Sequence, residues 1–588
     1  MSTLYSCLTA KTAEPAVIIP NGRAPIILSH QQLLDQVIAF QRKLAQIGIS
    51  PKEAVGIALP NSLEFVVSFL ATGLQRAICA PLNPAYKQDE FEFYFDDLKA
   101  PLVLVPSGAI KGNGEVIKAA RKCNVAIGEV YWNGSEIALS VGEGDGLRVK
   151  KRAGYHEAQP EDVALILHTS GTTGRPKAVP LSHRNLCQTM QNIQATYSLS
   201  SADRTLLVMP LFHVHGLLAG FLSPLMSGGS VVVPPRFSAS EFWRDFVAYK
   251  ANWYTAVPTI HQILLKNEMP NPMPEIRFVR SCSSPLSPTV HKQLESLMRA
   301  PVVEAYAMTE AAHQMTSNPL PPQSRKPGSV GKPEGVELVI MDEDGTALSE
   351  GKIGEVCIKG PNVTSGYIGE GIASPFFASG HFRTGDQGYL DEEGYLFLTG
   401  RIKELINKGG EKISPIEIDN TFSQHPHIAE AVSFAIDDEL YGQNVAVAIC
   451  LKEGKSLTTE ELLAWYSERA AKFKVPKKVF FTSVMPKTAT GKVQRRHVAS
   501  AMMATEKNGT GMETVEQKHV TAEERAEKKA EEKNEVCHME PLSRAFTAPA
   551  RTSDRFMSFG RSLASRVSSA YRGKLSFLSA SRKAKALQ

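Results

Sequence analysis

The chain has 588 residues, 43% of them hydrophobic and 21% charged, with a net charge of +5. That is room for about three or four units of roughly 100–200 residues with large cores, and the charge is too mild to imply a nucleic-acid partner. The eight cysteines form no C-x-x-C pair, which argues against a zinc site or redox pair and for free thiols in a reducing compartment.

Residues 1–10 lack a basic region followed by a long apolar run, so no secretory leader is expected. Residues 33–44 place apolar side chains at helical spacing and end near Gly48. Residues 54–59 read as a short strand closed by Pro60 and Asn61, 65–75 as a helix and 77–81 as a second strand. This rhythm predicts βα units, with parallel sheets covered by helices. Further strands are expected at 163–167, 205–209, 230–233 and 278–281. A β-rich stretch follows at 336–342, 354–359 and 395–399, with turns at Asp344-Gly345 and Glu393-Gly394. The most apolar stretches, such as 65–74, fall short of the roughly 20 residues that span a bilayer.

A boundary is expected near Gly400-Arg401. It divides a domain over 1–400 from a smaller α+β domain over 401–500. The smaller one has strands at 429–436, 444–451 and 478–482 and helices at 414–424 and 459–469. Residues 501–588 are a charged tail. Lys and Glu dominate 506–540, too polar to offset the entropy of ordering, although Glu/Lys pairing favours a solvated helix near 521–533. From 542 to 588 there are ten lysines and arginines against the single acid Asp554. Phe556, Phe559, Leu563, Val567, Tyr571 and Leu575 recur every three or four residues. The tail reads either as disordered or as a basic amphipathic helix for a membrane surface or protein partner. The chain ends Lys585-Ala-Leu-Gln588 rather than in the S-K-L peroxisomal address. A soluble protein in the cytoplasm is expected, with the peroxisome as the alternative.

The strongest local signal runs from an apolar strand into Thr169, Ser170, Gly171, Thr172, Thr173 and Gly174, closed by Arg175, Pro176 and Lys177. The glycines let amides face an anion, the hydroxyls donate, and Lys177 adds charge; the combination suits a triphosphate. It is not a Walker A loop, because Gly174 is followed by Arg175 and Lys177 by Ala178.

This loop resembles the signature of the acyl-activating, adenylate-forming superfamily, which includes acyl-CoA synthetases, firefly luciferase and the adenylation domains of peptide synthetases. Further motifs follow in the family's order, and the resemblance covers roughly 16–497. It implies roles residue by residue. Tyr306 would stack on adenine, Thr309 would bond the α-phosphate, and Glu310 would hold Mg²⁺. Ala305 and Ala307 stand where the family commonly has glycines. Residues 281–286 match the loop between adenine and acyl group, with Ser284 on the nucleotide side. Asp386 would take the ribose hydroxyls and Arg401 would reach the nucleotide. Lys403 would be the hinge, Gly409 and Gly410 would pass the thiol arm of coenzyme A, and Lys492 would be the catalytic lysine of adenylation. Read alone, the apolar run ending in Thr309-Glu310 is a helix start.

The resemblance implies two steps: carboxylate attacks ATP and pyrophosphate leaves, then the coenzyme A thiol displaces AMP, with the small domain rotating between. The segments expected to line the acyl pocket carry His213, His215, His261, Ser281, Ser283, Ser284 and His313. A long apolar pocket for fatty acids does not fit these residues. Hydroxyls and histidines suit a second carboxylate, whose burial without partners would be very costly. Together these segments resemble oxalate–CoA ligases. Ser283 and His313 are the expected contacts of the distal carboxylate, with His213 at the entrance. A medium-chain or aromatic acid substrate, adenylation without coenzyme A, and a non-catalytic scaffold are the competing readings.

Overall fold

The computed structural model describes residues 3–8, 12–20, 24–143, 153–154, 157–169, 176–369, 371–487 and 492–507. The predicted loop residues Ser170, Gly171, Thr172, Thr173 and Gly174 lie outside them, as do both predicted tail helices.

The first helix shows how local chemistry sets an element. Over His30–Gln46, Leu33, Leu34, Val37, Phe40 and Leu44 are buried along one face. Ser29 accepts from the Gln32 amide and the Gln32 side chain accepts from the Ser29 amide at 2.9 Å, satisfying two of the amides a helix start leaves unpaired. The next helix, Leu63–Leu74, buries eleven of its twelve residues. Its Phe65 and Phe69 share a core with Leu33 and Phe40 of the first helix and with Leu217 and Phe221.

Four sheets carry the chain. A seven-stranded sheet contains the parallel strands Ala54–Ile57, Ile78–Pro81 and Leu102–Pro106, and Val163–Thr169 runs parallel beside Ile78–Pro81. Val163–Thr169 also pairs antiparallel with Lys177–Ser182, so residues on both flanks of the predicted phosphate loop are fixed in one ladder. A nine-stranded sheet places Arg204–Leu206, Trp253–Ala256, Phe278–Cys282 and Val302–Met308 side by side in parallel. A four-stranded antiparallel sheet joins Glu337–Met341, Gly354–Lys359, Phe382–Leu390 and Leu396–Arg401. The last sheet, of five strands, is built on the long hairpin Ile428–Asp438 and Gly442–Leu451, with Lys478–Phe481 parallel alongside. Among the described residues no helix is long and apolar enough to cross a membrane.

Two local expectations are corrected. The run ending in Thr309-Glu310 is the strand Val302–Met308, followed by a single three-residue turn Thr309–Ala311. Pairing with strands on both sides outweighs the local helix signal. The strand expected at 205–209 stops at Leu206. Beyond it the chain leaves the sheet, and buried Asn61 clamps the exit, donating to the Met209 carbonyl at 3.1 Å and accepting from the Leu211 amide at 2.8 Å.

That exit leads into His213 and the π-helix His215–Leu222. Gly216 makes the close approach possible: a Cβ there would stand 2.2 Å from the Pro210 carbonyl oxygen and 2.8 Å from that of Met209. Backbone cannot yield as a flexible side chain does. Gly216→Ala is therefore expected to cost about 1–3 kcal/mol, read as a lower urea midpoint with an unchanged m-value.

Candidate active site

The carboxyl ends of the parallel strands in the nine-stranded sheet converge on one place, as expected of a site in an open α/β sheet. Trp253–Ala256 contributes Thr255. Phe278–Cys282 contributes Arg280 and, just beyond, Ser283 and Ser284. Val302–Met308 contributes Tyr306 and leads to Thr309 and Glu310. His313 opens the returning antiparallel strand, opposite Met308.

The predicted acyl residues are brought together. His215 lies between Thr255, whose Oγ1 is 2.6 Å from its Nε2, and Ser283, whose Oγ is 3.1 Å from its Nδ1. The His313 ring stacks on that of His215 at 5.3 Å. His313 is fully buried, and neither ring nitrogen has a hydrogen-bond partner among the described residues. Its φ is +115° and that of Ser283 is +76°. Both values are strained for residues with a side chain, and such strain concentrates at functional sites.

Lys492 comes to this cluster from the far end of the chain, with Nζ 3.4 Å from His213 Nε2. Its segment is anchored three residues on, where Arg495 pairs with Asp419 at 2.6 Å and bonds the Ser433 carbonyl at 2.9 Å. His213 Nδ1 accepts from the His215 amide at 3.2 Å. The ring proton of neutral His213 therefore sits on Nε2 and faces the lysine. An ammonium has no lone pair to take it. The contact is relaxed only when the amine is neutral or an anion comes between the two groups.

The electrostatics point the same way. Burial lowers His213, then Lys492 lowers it further; burial also dominates the lowering of His215 and His313, with Arg280 acting on both. All three are neutral at pH 7. Burial pushes Lys492 down to about 8. Arg280 is fully buried and donates to Tyr197 Oη at 2.9 Å, Thr255 Oγ1 at 3.1 Å and Gln314 Oε1 at 3.1 Å. None of the charges acting most on these five groups is a carboxylate. Among the described residues the cluster thus carries two cationic side chains, and no carboxylate is among the groups that act most on it.

The predicted nucleotide residues form a second, adjoining group. Tyr306 donates its hydroxyl proton to Asp386, and Asp386 pairs with Arg401 at 3.0 Å. Asp386 and Arg401 face each other across neighbouring strands. Burial raises Asp386 despite the nearby guanidinium. Ser284 donates to the Ser283 carbonyl at 2.8 Å. Glu310 is buried, and the Tyr367 hydroxyl donates to its Oε1 at 2.8 Å. Lys177 sits over the Tyr367 ring at 4.5 Å, so one tyrosine ties the closing lysine of the phosphate loop to the metal candidate. Burial raises Glu310 as well. A buried carboxylate held at one oxygen by a tyrosine fits Mg²⁺, which takes one or two protein carboxylates and completes its shell with phosphate oxygens and water.

Other predicted residues lie apart from this cluster. Gly409 and Gly410, both with positive φ, form the turn between Ile406–Lys408 and Glu411–Ile413. Their amides bond the Tyr441 carbonyl and the Asn407 side chain within the last sheet. Lys403 lies in the short turn Ile402–Glu404. This arrangement brings Lys492, rather than the glycine turn, to the acyl residues.

Sequence reasoning missed Arg280, Thr255 and Tyr367. Arg280 left a readable signal, a lone arginine inside the strand-like run Phe278, Val279, Ser281, Cys282. Tyr367 left none, because its role depends on a fold-back that brings it to Glu310.

If charged Lys492 drives adenylation, kcat/KM should be level below the free-enzyme pKa and fall as pH rises through about 8. In Lys492→Arg, slower but permanently charged, that alkaline limb should vanish; pyrophosphate release measured from pH 6 to 10 tests both.

The chain matches the family model of the AMP-binding enzymes over residues 9–368 and that of the AMP-binding enzyme C-terminal domain over 417–492. It is 48% identical to the oxalate–CoA ligase of Saccharomyces cerevisiae, covering 84% of this chain and 95% of that one. It is also 48% identical to the oxalate–CoA ligase of Arabidopsis thaliana, covering 80% and 93%. The solved structure of ATP-bound MatB from Rhodopseudomonas palustris superposes with a TM-score of 0.76 at 27% identity, covering 86% of this chain and 99% of that one. By its fold, its site and these matches, the chain belongs to the AMP-binding enzyme family.

Proposed function

We propose that this protein is an ATP-dependent acid–CoA ligase whose acid is oxalate. The observation that carries the reading is the cluster of buried Arg280, His215 and His313 with half-buried Lys492, Ser283 and His213, in which all three histidines are neutral and no carboxylate is among the groups that act most on it. Such a cavity repels cations, and its polar lining gains little from an alkyl chain. It suits a small molecule carrying negative charge at both ends. The names of the two relatives at 48% identity support the same acid.

The geometry supports a division of labour. One carboxylate of the acid, seated between Lys492 and His213, would accept from both and relieve their contact. The other would meet Ser283 and His313, whose unpartnered nitrogens await a ligand. Attack on the α-phosphate brings two anions together, and Lys492 offsets charge that spreads over the phosphoryl oxygens. One opposed pair at about 4 Å is worth about 4 kcal/mol at an effective dielectric of roughly 20. Tyr306, Asp386 and Arg401 would hold the nucleoside. Glu310, steadied by Tyr367, would hold Mg²⁺, which screens the phosphates when bound. The thioester step then needs the Gly409-Gly410 turn in place of Lys492, with Lys403 as pivot.

A finer proposal rests on sequence charge alone: the basic run 542–588 makes a peripheral membrane or protein contact, in a protein we propose to be cytoplasmic, with the peroxisome as the alternative. Deleting that run and following a fluorescent fusion tests it, and an unchanged distribution counts against it.

Pyrophosphate release should be highest with oxalate in a panel including malonate, hexanoate and coumarate, and AMP release should become continuous when coenzyme A is added. Faster turnover of hexanoate or coumarate would reject the assignment. Lys492→Ala should lose adenylation by at least about a thousandfold yet convert supplied oxalyl-adenylate to the thioester at near the normal rate. Lys403→Pro, with its φ fixed, should slow the thioester step more than the first. Single-turnover assays of each half-reaction separate these outcomes.

A further inference from the structure

Arg280 is buried more deeply than any residue assigned to the reaction needs to be. A guanidinium has five N–H donors and no acceptor, so every bond it makes is directional. One of them, from Nη1, goes to Thr255 Oγ1 at 3.1 Å. The two residues are register partners on adjacent strands, which fixes the contact in the sheet itself. Thr255 is 2% exposed. Among the described residues its hydroxyl has two hydrogen-bond neighbours, Arg280 and the His215 Nε2 at 2.6 Å.

Arg280 can only donate. The one remaining acceptor for the Thr255 hydroxyl proton is therefore His215 Nε2. A neutral imidazole that accepts at Nε2 carries its proton on Nδ1. That proton points at Ser283 Oγ, 3.1 Å away. Ser283 then accepts from His215 and keeps its own hydroxyl proton to donate. Its hydroxyl has no second hydrogen-bond partner among the described residues, and its φ of +76° is strained. The reversed order, Ser283 to His215 to Thr255, would leave the Thr255 proton buried with no acceptor, a cost the forward order avoids.

We propose that Arg280, Thr255 and His215 form a one-way hydrogen-bond relay that holds Ser283 as an obligatory donor to the distal carboxylate of the acid. They are positioning residues, because they act through Ser283. Burial keeps His215 neutral, as the relay requires, and the stacked His313 closes its other face. The relay explains why a pocket for a dianion spends its arginine behind the wall: the cation sets the direction of every proton between itself and the ligand. The inference rests on the reading of this pocket as a dicarboxylate site, but its first test needs no substrate.

In full-length protein labelled with ¹⁵N-histidine, long-range ¹H–¹⁵N correlation should show His215 as the Nδ1–H tautomer, assigned by the signals lost in His215→Gln. Thr255→Val removes the hydroxyl without changing shape, and it should convert His215 to the Nε2–H tautomer; Thr255→Ser should retain Nδ1–H. With oxalate as substrate, Thr255→Val should raise the KM for oxalate on the order of tenfold while the KM for ATP stays within about twofold, and Thr255→Ser should restore most of the loss. An Nε2–H or doubly protonated His215 in the unaltered protein overturns the relay. So does a Thr255→Val enzyme whose KM values for oxalate and ATP rise together, since that marks a merely structural role. Absence of oxalate turnover in the unaltered enzyme would instead remove the oxalate assignment, leaving the tautomer to decide the relay.

Discussion

Two anions must be brought within bonding distance for adenylation to occur, and the need to neutralise them organises this molecule. Water would do this poorly, because it screens charge but does not hold it in place. The fold answers by excluding water and supplying fixed donors. Lys492 and Arg280 bring positive charge, neutral histidines and hydroxyls bring directed hydrogen bonds, and among the described residues no carboxylate is one of the groups that act most on them. Inside a low-dielectric site such donors act more strongly than they would in solvent, and they do not have to reorganise at the moment of reaction.

The cost of this arrangement is visible in the same residues. His313 is buried with both ring nitrogens unpaired among the described residues and its backbone strained. Lys492 is held in a place that makes losing its proton easier. Left to folding alone, a hydrophobic residue at either position would be more stable. The surrounding sheet absorbs the strain: strands paired on both sides, a helix buried on nearly every face, and Asn61 holding the chain where it leaves the sheet toward His213. Stability is spent at the site and recovered in the core behind it.

The placement of Lys492 bears on the order of the proposed reaction. The lysine reaches His213 while Gly409 and Gly410 are engaged within their own sheet. The proposed two-step reaction would have Lys492 and the Gly409-Gly410 turn act one after the other. Arg495 ties the lysine segment to Asp419 on the helix Pro415–Phe422 and to the Ser433 carbonyl of the last sheet.

Much of this was legible in the chain itself. The βα rhythm followed from apolar spacing of 3.6 and 2 residues, and capping at Ser29 confirmed the first helix where its pattern begins. The acyl residues His213, Ser283 and His313 were legible as polar residues where an alkyl pocket would be apolar, and the structure brings all three together with Lys492. The strand through Tyr306 was not legible, because its neighbours in the sheet, rather than its own propensities, hold it extended. By itself the sequence determined the element pattern and the order of the motifs, since these depend on residue type and near spacing, and the family resemblance of those motifs implied where the acyl wall lies. Only the tertiary structure decided that Thr255 faces Arg280, that Tyr367 reaches Glu310 and that Lys492 meets His213 across 279 positions of chain. Sheet register and domain docking set those contacts, and neither leaves a local mark in the residues it joins.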